Sequence, residues 1–333
     1  VADFFTLTKQ CERAIPLYQR VLSSDPDFGG ALENLALCYA RSGKSKEAID
    51  TYQQVIDKDA TKIGAYDEIA DLAIQMGDNN RALTALRQAM LMDASDPMRY
   101  EKAGDCALKL SKIDDAVKIF TEARIRFPSE PEFTHFLGIA LSQANRHAEA
   151  MQVFERAIFE AGNQRPGMLD SHFYCDYGMA AEEAKQYGKA EEMLKKSIDM
   201  DPDHAAESYN ALGYMWVDRG ERLDEAEVVI RKAVEIDPNN AMYIDSLGWL
   251  LYKQGKYQDA VAQLQRASEL LSNHPDAVVF EHIGDAYQKL GQFAQAVLYW
   301  QKSIGLDPKN KVVLAKIDDV SKKVVDQKTV TTP

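Results

Sequence analysis

The chain has 333 residues and a formal net charge of −13, with 46% hydrophobic and 27% charged residues. Phosphate and anionic lipid surfaces are bound by clustered lysine and arginine, so this acidity argues against nucleic acid or a membrane surface as the main partner. It favours basic, or at least not acidic, protein ligands. No run of 18 apolar residues occurs, so we expect no transmembrane helix.

A repeat runs through the chain and overrides the two globular domains that its length would otherwise suggest. Alanines occur every 34 residues, and the same slot continues after intervals of 40, 36, 34 and 36 residues. Such a period indicates stacked helical units, none of which can bury its apolar face alone. The register consists of Ala14, Ala48, Ala82, Ala116 and Ala150, then Ala190, Ala226, Ala260 and Ala296.

Residues 1–160 are predicted to form a first sub-array of a half repeat followed by four repeats. Each repeat should be two helices joined by a short turn, and the turns often carry glycine, as at Gly43 and Gly77. Glycine just past a helix end supplies the left-handed backbone that a tight stop needs. Because the chain starts at Val1 and its first apolar residues fit the middle of a helix, we expect a processed or trimmed chain.

Residues 161–171 are predicted to be an inserted loop, where the repeat interval lengthens to 40 residues. Two glycines and Pro166 among polar residues favour irregular structure here. Two interpretations remain open. The loop is either a surface excursion, or a hinge or ligand-contacting lip between two sub-arrays.

Residues 172–308 are predicted to form a second sub-array of four repeats, followed by a capping helix over 309–325. Val313, Ile317, Val320 and Val324 form one apolar stripe along that helix. Terminal repeats must be covered to stay soluble, which is the role expected of this helix. The segment 326–333 lacks periodicity and is predicted to be a disordered tail.

Catalytic and metal-binding motifs are absent from the sequence. There is no HExxH, no GxSxG and no glycine-rich phosphate loop, and the six histidines do not occur at metal-ligand spacing. The four cysteines lie in different repeats without a CxxC, so we expect small buried apolar residues and no disulfide framework. The sequence therefore predicts no enzyme activity, no cofactor and no metal.

The repeat resembles the tetratricopeptide repeat (TPR) family over more than nine-tenths of the chain. Matching residues are clearest at Tyr209, Leu212, Gly213, Trp216, Ala226, Ile230, Ala233 and Pro238. The resemblance implies an all-α fold, a right-handed superhelix (α-solenoid) of eight to nine helix pairs plus the C-terminal capping helix.

The family's ligand groove is concave and lined by the first helix of each repeat, whose fifth and ninth positions point inward. Carried onto this chain, these positions are acidic in the first half, with Glu33, Asp67, Asp71, Glu101 and Asp105. Such a stripe either attracts lysine- and arginine-bearing ligands or is merely a solvated face. Near the end of the array, the inward positions include Asn210, Tyr214, Asp245, Trp249, Glu281 and Asp285.

An aromatic patch is expected in the second half of the groove. Tyr214, Trp249 and Tyr252 come from neighbouring repeats, and exposed aromatic residues are typical anchors for peptides. The alternative is that these rings pack between helices as part of the core. The inward positions mostly carry acids, so we reject the lysine and asparagine clamp with which some family members hold a C-terminal carboxylate.

The last third of the array also resembles repeat proteins of the Gram-negative cell envelope, some of which bring a processing protease to cell-wall hydrolases. This implies a location in the bacterial periplasm or at the outer membrane, with a cytoplasmic location as the alternative. The segments concerned are Leu212-Gly213-Tyr214, Asp218-Arg219-Gly220, Asp245-Ser246-Leu247-Gly248-Trp249 and His282-Ile283-Gly284-Asp285.

We therefore expect a non-enzymatic scaffold or adaptor that binds a protein or peptide in its groove, with a ligand that is basic, apolar or both. Its role would be in the envelope, with a protease or the cell-wall machinery. The alternatives are the substrate-recognition region of a larger enzyme and a cytoplasmic TPR co-chaperone.

Overall fold

The structure is a computed structural model that describes the backbone of residues 1–164 and 166–330, and the side chains of these residues except 29, 163, 164, 166 and 322–330. The chain divides into two compact units, Val1–Met168 and Leu169–Pro333. Over the described residues all regular structure is helical, and within each unit the helices that follow one another in the chain pack together. The predicted all-α array of helix pairs is confirmed.

The first unit contains ten α-helices in its described part. They are α1 (Ala2–Leu7), α2 (Cys11–Ser24), α3 (Gly29–Arg41), α4 (Ser45–Lys58), α5 (Ile63–Gln75), α6 (Asn79–Met92), α7 (Pro97–Lys109), α8 (Ile113–Arg126), α9 (Glu132–Gln143) and α10 (His147–Gln164). A short 3-10 helix over Pro166–Met168 follows α10.

The second unit contains nine described α-helices. They are α11 (Ser171–Glu183), α12 (Tyr187–Met200), α13 (Ala206–Asp218), α14 (Leu223–Ile236), α15 (Ala241–Lys253), α16 (Tyr257–Leu270), α17 (Ala277–Lys289), α18 (Phe293–Leu306) and α19 (Lys311–Val330). The first helices of adjacent repeats, α11, α13, α15 and α17, also contact one another directly.

The alanine register is the centre of each repeat. All nine alanines from Ala14 to Ala296 are 0% exposed, so each lies on a tightly packed face of its second helix. Only a side chain as small as a methyl group allows such close helix packing. The four cysteines are free and buried, which confirms their expected structural role. None of the described helices is both long and apolar enough to cross a membrane.

Glycines in the first helices are also required for close packing. A Cβ atom built on Gly104 would lie 2.1 Å from the Phe120 ring, and one on Gly284 would lie 2.4 Å from the Trp300 ring. In both cases the aromatic ring belongs to the second helix of the same repeat. The Leu-Gly, Ala-Gly and Ile-Gly pairs of the repeat therefore mark the contact point of the two helices.

We predict that Gly104→Ala lowers the free energy of unfolding by about 3 kcal/mol, since overpacking a full core forces its neighbours off their preferred rotamers. The matched control is Gly64→Ala in α5, where an added Cβ meets no atom within 4 Å. That variant should be as stable as the wild type or slightly more stable. Urea denaturation of both proteins checks this. Equal midpoints for the two variants would contradict the packing argument.

The segment predicted as an inserted loop begins as a helix. The helix α10 has 18 residues, against 14 in α8, and it continues to Gln164. Ala161 is fully buried, so packing favours the helical conformation past the position at which the loop was expected to start. Residues 161–164 of the predicted loop are therefore helical, and 166–168 form the 3-10 helix.

The predicted capping helix is present as α19. Val313 and Val320 are 0% exposed and pack, together with the partly buried Ile317, on Ala296 and Trp300. The side chain of Val324, the fourth residue of the predicted stripe, lies outside the described residues. The helix extends beyond 325 to Val330, so residues 326–330 of the predicted tail are helical, and 331–333 are outside the described part.

Candidate functional site

The acidic positions of the first unit are paired with cations of the same chain. A carboxylate oxygen of Glu33 lies 2.7 Å from Nζ of Lys62, and one of Asp71 lies 2.5 Å from Nζ of Lys102. Asp67 accepts two hydrogen bonds of 2.9 Å from Arg99. The cations lie on or directly before the first helix of the next repeat. Three of the acids expected to attract a basic ligand therefore also connect adjacent repeats.

Arg99 is the most buried of these cations, at 8% exposure. Besides Asp67, its guanidinium donates to the backbone carbonyl of Asp93 at 2.8 Å and to the Asp93 carboxylate at 3.1 Å. A planar guanidinium is suited to such multiple contacts, which a lysine could not reproduce. Arg99 thus ties the first helix of one repeat to the start of the next.

Two acids of the predicted stripe are arranged differently. Asp105 lies 2.7 Å from Lys109 on the same helix, with both side chains about half exposed. Glu101 is exposed and has no ion pair among the described residues. The sequence prediction missed the pairing because it treated each helix alone. A spacing of 29–32 residues between acid and cation is the signal that would have revealed it.

In the second unit, Glu281 and Asp285 face the capping helix. Nζ of Lys316 lies 2.8 Å from Glu281 and 2.7 Å from Asp285, and Asn310 donates to Glu281 at 3.2 Å. Asp285 is 7% exposed and also accepts a hydrogen bond of 2.9 Å from Nε1 of Trp300. In this structure both predicted partner-binding acids therefore hold α19.

The predicted aromatic residues lie in two places. The Trp249 ring stacks on Tyr252 of the same helix, with centroids 4.6 Å apart, and on His282 of α17, at 4.1 Å. Trp249 and Tyr252 are both partly exposed. Tyr214, on α13, has no ring contact among those described. Trp249 is thus neither a free anchor nor a fully buried core residue.

A buried pair of polar side chains, His282 and Asp245, fixes the position of the His282 ring in this stack. Nδ1 of His282 lies 3.0 and 3.1 Å from the two carboxylate oxygens of Asp245, and both residues are buried. The pair joins α15 to α17. Because His282 is held by Asp245 on one side and stacks on Trp249, the indole orientation is set by the neighbouring repeat as well as by its own helix.

Two acids of the second unit have no cation beside them among the described residues, unlike Glu33, Asp67 and Asp71 of the first unit. Glu182, at the end of α11, and Asp218, at the end of α13, have no ion pair among the described residues. Burial, followed by the negative charge of Asp218, raises the pKa of Glu182 from 4.5 to about 7. Burial and the same two acids, with Asp245, raise the pKa of Tyr214 to about 12. The sequence analysis missed Glu182 and Asp218 because it considered only the fifth and ninth helix positions.

The raised pKa of Glu182 predicts a pH dependence of stability. The folded protein binds this proton more tightly than the unfolded chain, so stability falls as pH rises from about 4.5 to 7. Glu182→Gln should be more stable than wild type at pH 8, by at most about 3 kcal/mol, and equally stable at pH 4. Urea denaturation at both pH values checks this. Asp199→Asn, an exposed acid of α12, should change neither value, and a pH-independent effect of Glu182→Gln would refute the prediction.

Comparison with protein families gives matches along most of the chain. Three family models, each described as a tetratricopeptide repeat, match the chain. The first matches residues 9–63 and 101–166, and the second matches 63–96, 171–204, 206–240 and 277–310. The third matches residues 240–276. The matches to 63–96, 171–204, 206–240, 240–276 and 277–310 each span one helix pair of the structure.

The TPR repeat-containing protein PA4667 of Pseudomonas aeruginosa is 32% identical over 146 residues. The match covers 44% of this chain and 23% of the relative, so the chain spans about a quarter of that protein's length. Among solved structures, YrrB, a TPR protein with an unusual peptide-binding site, matches with a TM-score of 0.44 and 19% identity, over 58% of this chain and 95% of YrrB.

Arrays of such helix pairs typically present extended surfaces for protein interactions and are typically not catalytic. The family matches, the helix pairing and the buried alanine register agree over most of the sequence. The chain belongs to the tetratricopeptide repeat family and is a protein-interaction scaffold of that kind.

Proposed function

We propose that this scaffold binds a segment of a partner protein on the inner face of its second unit, formed by α11, α13, α15 and α17. The bound segment carries lysine or arginine beside apolar residues. One observation supports this most directly. Glu182 and Asp218, whose charges act on Tyr214, have no ion pair among the described residues, while Asp67 and Asp71 of the first unit are paired within the chain.

The chemistry of this face suits a basic side chain. A lysine ammonium between Glu182 and Asp218 would relieve the repulsion that raises the pKa of Glu182. The ring of Tyr214 offers a cation–π contact at the same place. Trp249 and Tyr252, partly exposed on the next first helix, offer a surface for an apolar neighbour, as aromatic residues do at many interfaces.

The proposal is tested with two synthetic peptides of equal length, one alternating lysine with leucine and the other glutamate with leucine. We expect the protein to bind the lysine peptide more tightly, with an affinity that falls as salt is added. The double variant Glu182→Gln/Asp218→Asn should bind it roughly tenfold more weakly. The control, Asp199→Asn/Glu269→Gln, removes two exposed acids from second helices. Equal loss of affinity in both variants would refute a specific site.

Trp249→Ala tests the apolar half of the same face. We expect weaker binding of the lysine peptide at a temperature where the variant is fully folded, because the indole is partly exposed beside the proposed charged site. Loss of the stack on His282 should also lower the melting temperature. A folded variant with unchanged affinity would show that Trp249 serves only the packing of α15 on α17.

For the cellular role, we propose an adaptor of the bacterial cell envelope that serves a protease or the cell-wall machinery. The resemblance of the segment from Tyr209 to Trp300 to envelope repeat proteins supports this. Fractionation of cells that make the full-length protein tests the location, with the periplasmic and outer-membrane fractions as the expected ones. A photo-crosslinking amino acid at Tyr214 would then identify the partner. Recovery in the cytoplasmic fraction alone would refute the envelope role.

A further inference from the structure

Three consecutive second helices of the first unit expose a large apolar residue at the same position. Leu91, Ile125 and Phe159 are 34 residues apart, and each is the thirteenth residue of its helix, α6, α8 or α10. They are 80%, 72% and 81% exposed, more than any other large apolar side chain that the structure describes after residue 7. We call these three residues the outer stripe.

The fold does not require apolar residues at this position. The thirteenth residue is acidic in four other second helices, namely Asp57, Asp199, Glu235 and Glu269. At about 80% exposure an apolar side chain contributes almost nothing to the core, and a row of such side chains is unfavourable in water. Exposed apolar residues arranged in a row, one in each of three neighbouring repeats, are typical of an interaction surface.

A shallow cavity of about 620 Å³ lies beside the centre of the outer stripe. Ile125, Val117 and Thr121 supply its floor, and its charged lining residues are three cations and one anion, Lys118, Arg126, Arg146 and Glu122. Arg126 and Arg146 are paired with glutamates on the surface, while Lys118 is exposed without an ion pair among the described residues. The cavity lining thus contains two more cations than anions, in a chain of net charge −13.

We propose that the outer stripe and the adjoining cavity bind an amphipathic helix of a partner protein that has acidic residues beside its apolar face. Such a helix presents apolar residues along one side and charges at the edges of that side. An acid beside that apolar side would pair with Lys118, and the apolar residues would cover Leu91, Ile125 and Phe159. A second copy of this chain is the less suitable occupant, because two chains of charge −13 repel each other.

The experiment uses two synthetic helical peptides with the same leucine stripe, flanked by glutamate in one and by lysine in the other. Binding to the full chain is followed by fluorescence anisotropy. We expect the glutamate peptide to bind at least tenfold more tightly to wild type than to Leu91→Asp/Ile125→Glu/Phe159→Glu, which carries the acids found in other repeats. Lys118→Glu should weaken binding too. Val228→Glu, at an exposed apolar residue of the second unit, should bind like wild type.

Circular dichroism confirms that each variant is folded, and sedimentation velocity measures self-association. The proposal is overturned if wild type and triple variant bind the glutamate peptide equally, or if the lysine peptide binds better on this surface. It is also overturned if wild type self-associates and the triple variant does not, because the occupant is then a second copy. Glu182→Gln/Asp218→Asn should leave glutamate-peptide binding unchanged, so this test is independent of the inner face.

Discussion

Removal of residues 309–333 should strongly destabilise the second unit and make the protein aggregate. The truncation removes Val313 and Val320, which are fully buried in the structure, and thereby exposes Trp300, on which they pack. Burial of each valine is worth roughly 1.5–3 kcal/mol. The truncation also leaves Glu281 and Asp285 without Lys316. Thermal unfolding and light scattering of the truncated and full chains measure the effect.

A full-length variant separates the charge of Lys316 from the packing of α19. Lys316→Met keeps an apolar stem but leaves the nearly buried Asp285 without its cation, which should lower stability by about 3 kcal/mol. Lys309→Met, which precedes α19, is the control and should have little effect. If the truncated chain melts at the temperature of the full chain, α19 is not a cap.

Arg99→Ala is expected to have the largest effect of any single charge change in the first unit. It leaves Asp67 without its two hydrogen bonds and frees the carbonyl and carboxylate of Asp93. Because Arg99 is 8% exposed, we expect a loss of about 3 kcal/mol in the free energy of unfolding. Urea denaturation measures it.

Two further variants test why Arg99 matters. Arg99→Lys retains the charge but has a single nitrogen in place of the three that contact Asp67 and Asp93, so its stability should be intermediate. Lys109→Ala removes the surface pair with Asp105, which is worth about 0.5 kcal/mol or less. If Arg99→Ala is no less stable than Lys109→Ala, the contacts between adjacent repeats do not stabilise the array.

The ion pairs of the first unit change the expectation of which unit contacts a basic ligand. The first unit was expected to select basic ligands through Asp67, Asp71, Glu101 and Asp105. In the structure two of these join neighbouring repeats and one is paired within its own helix. Among the described residues, negative charge without an ion pair remains at Glu101 in the first unit and at Glu182 and Asp218 in the second. A charge stripe in the sequence of a repeat protein therefore needs its cations traced into the next repeat before it indicates a ligand.

The sequence by itself determined the repeat, the helix pairs and the buried alanine register. These follow from a fixed period and from local preferences, because small residues recur where two helices must approach closely. The apolar stripe of the capping helix could also be predicted from the sequence, since Val313, Ile317 and Val320 share one face of a single helix.

Only the tertiary structure decided which polar and aromatic residues are available to a partner. The cation of Asp67 lies 32 residues further on, and the ring that stacks on Trp249 belongs to His282, 33 residues away. The exposure of Leu91, Ile125 and Phe159 also became visible only once neighbouring helices were in place. A single helix defines which residues share a face, but the charge and exposure of that face depend on side chains that the next repeat supplies.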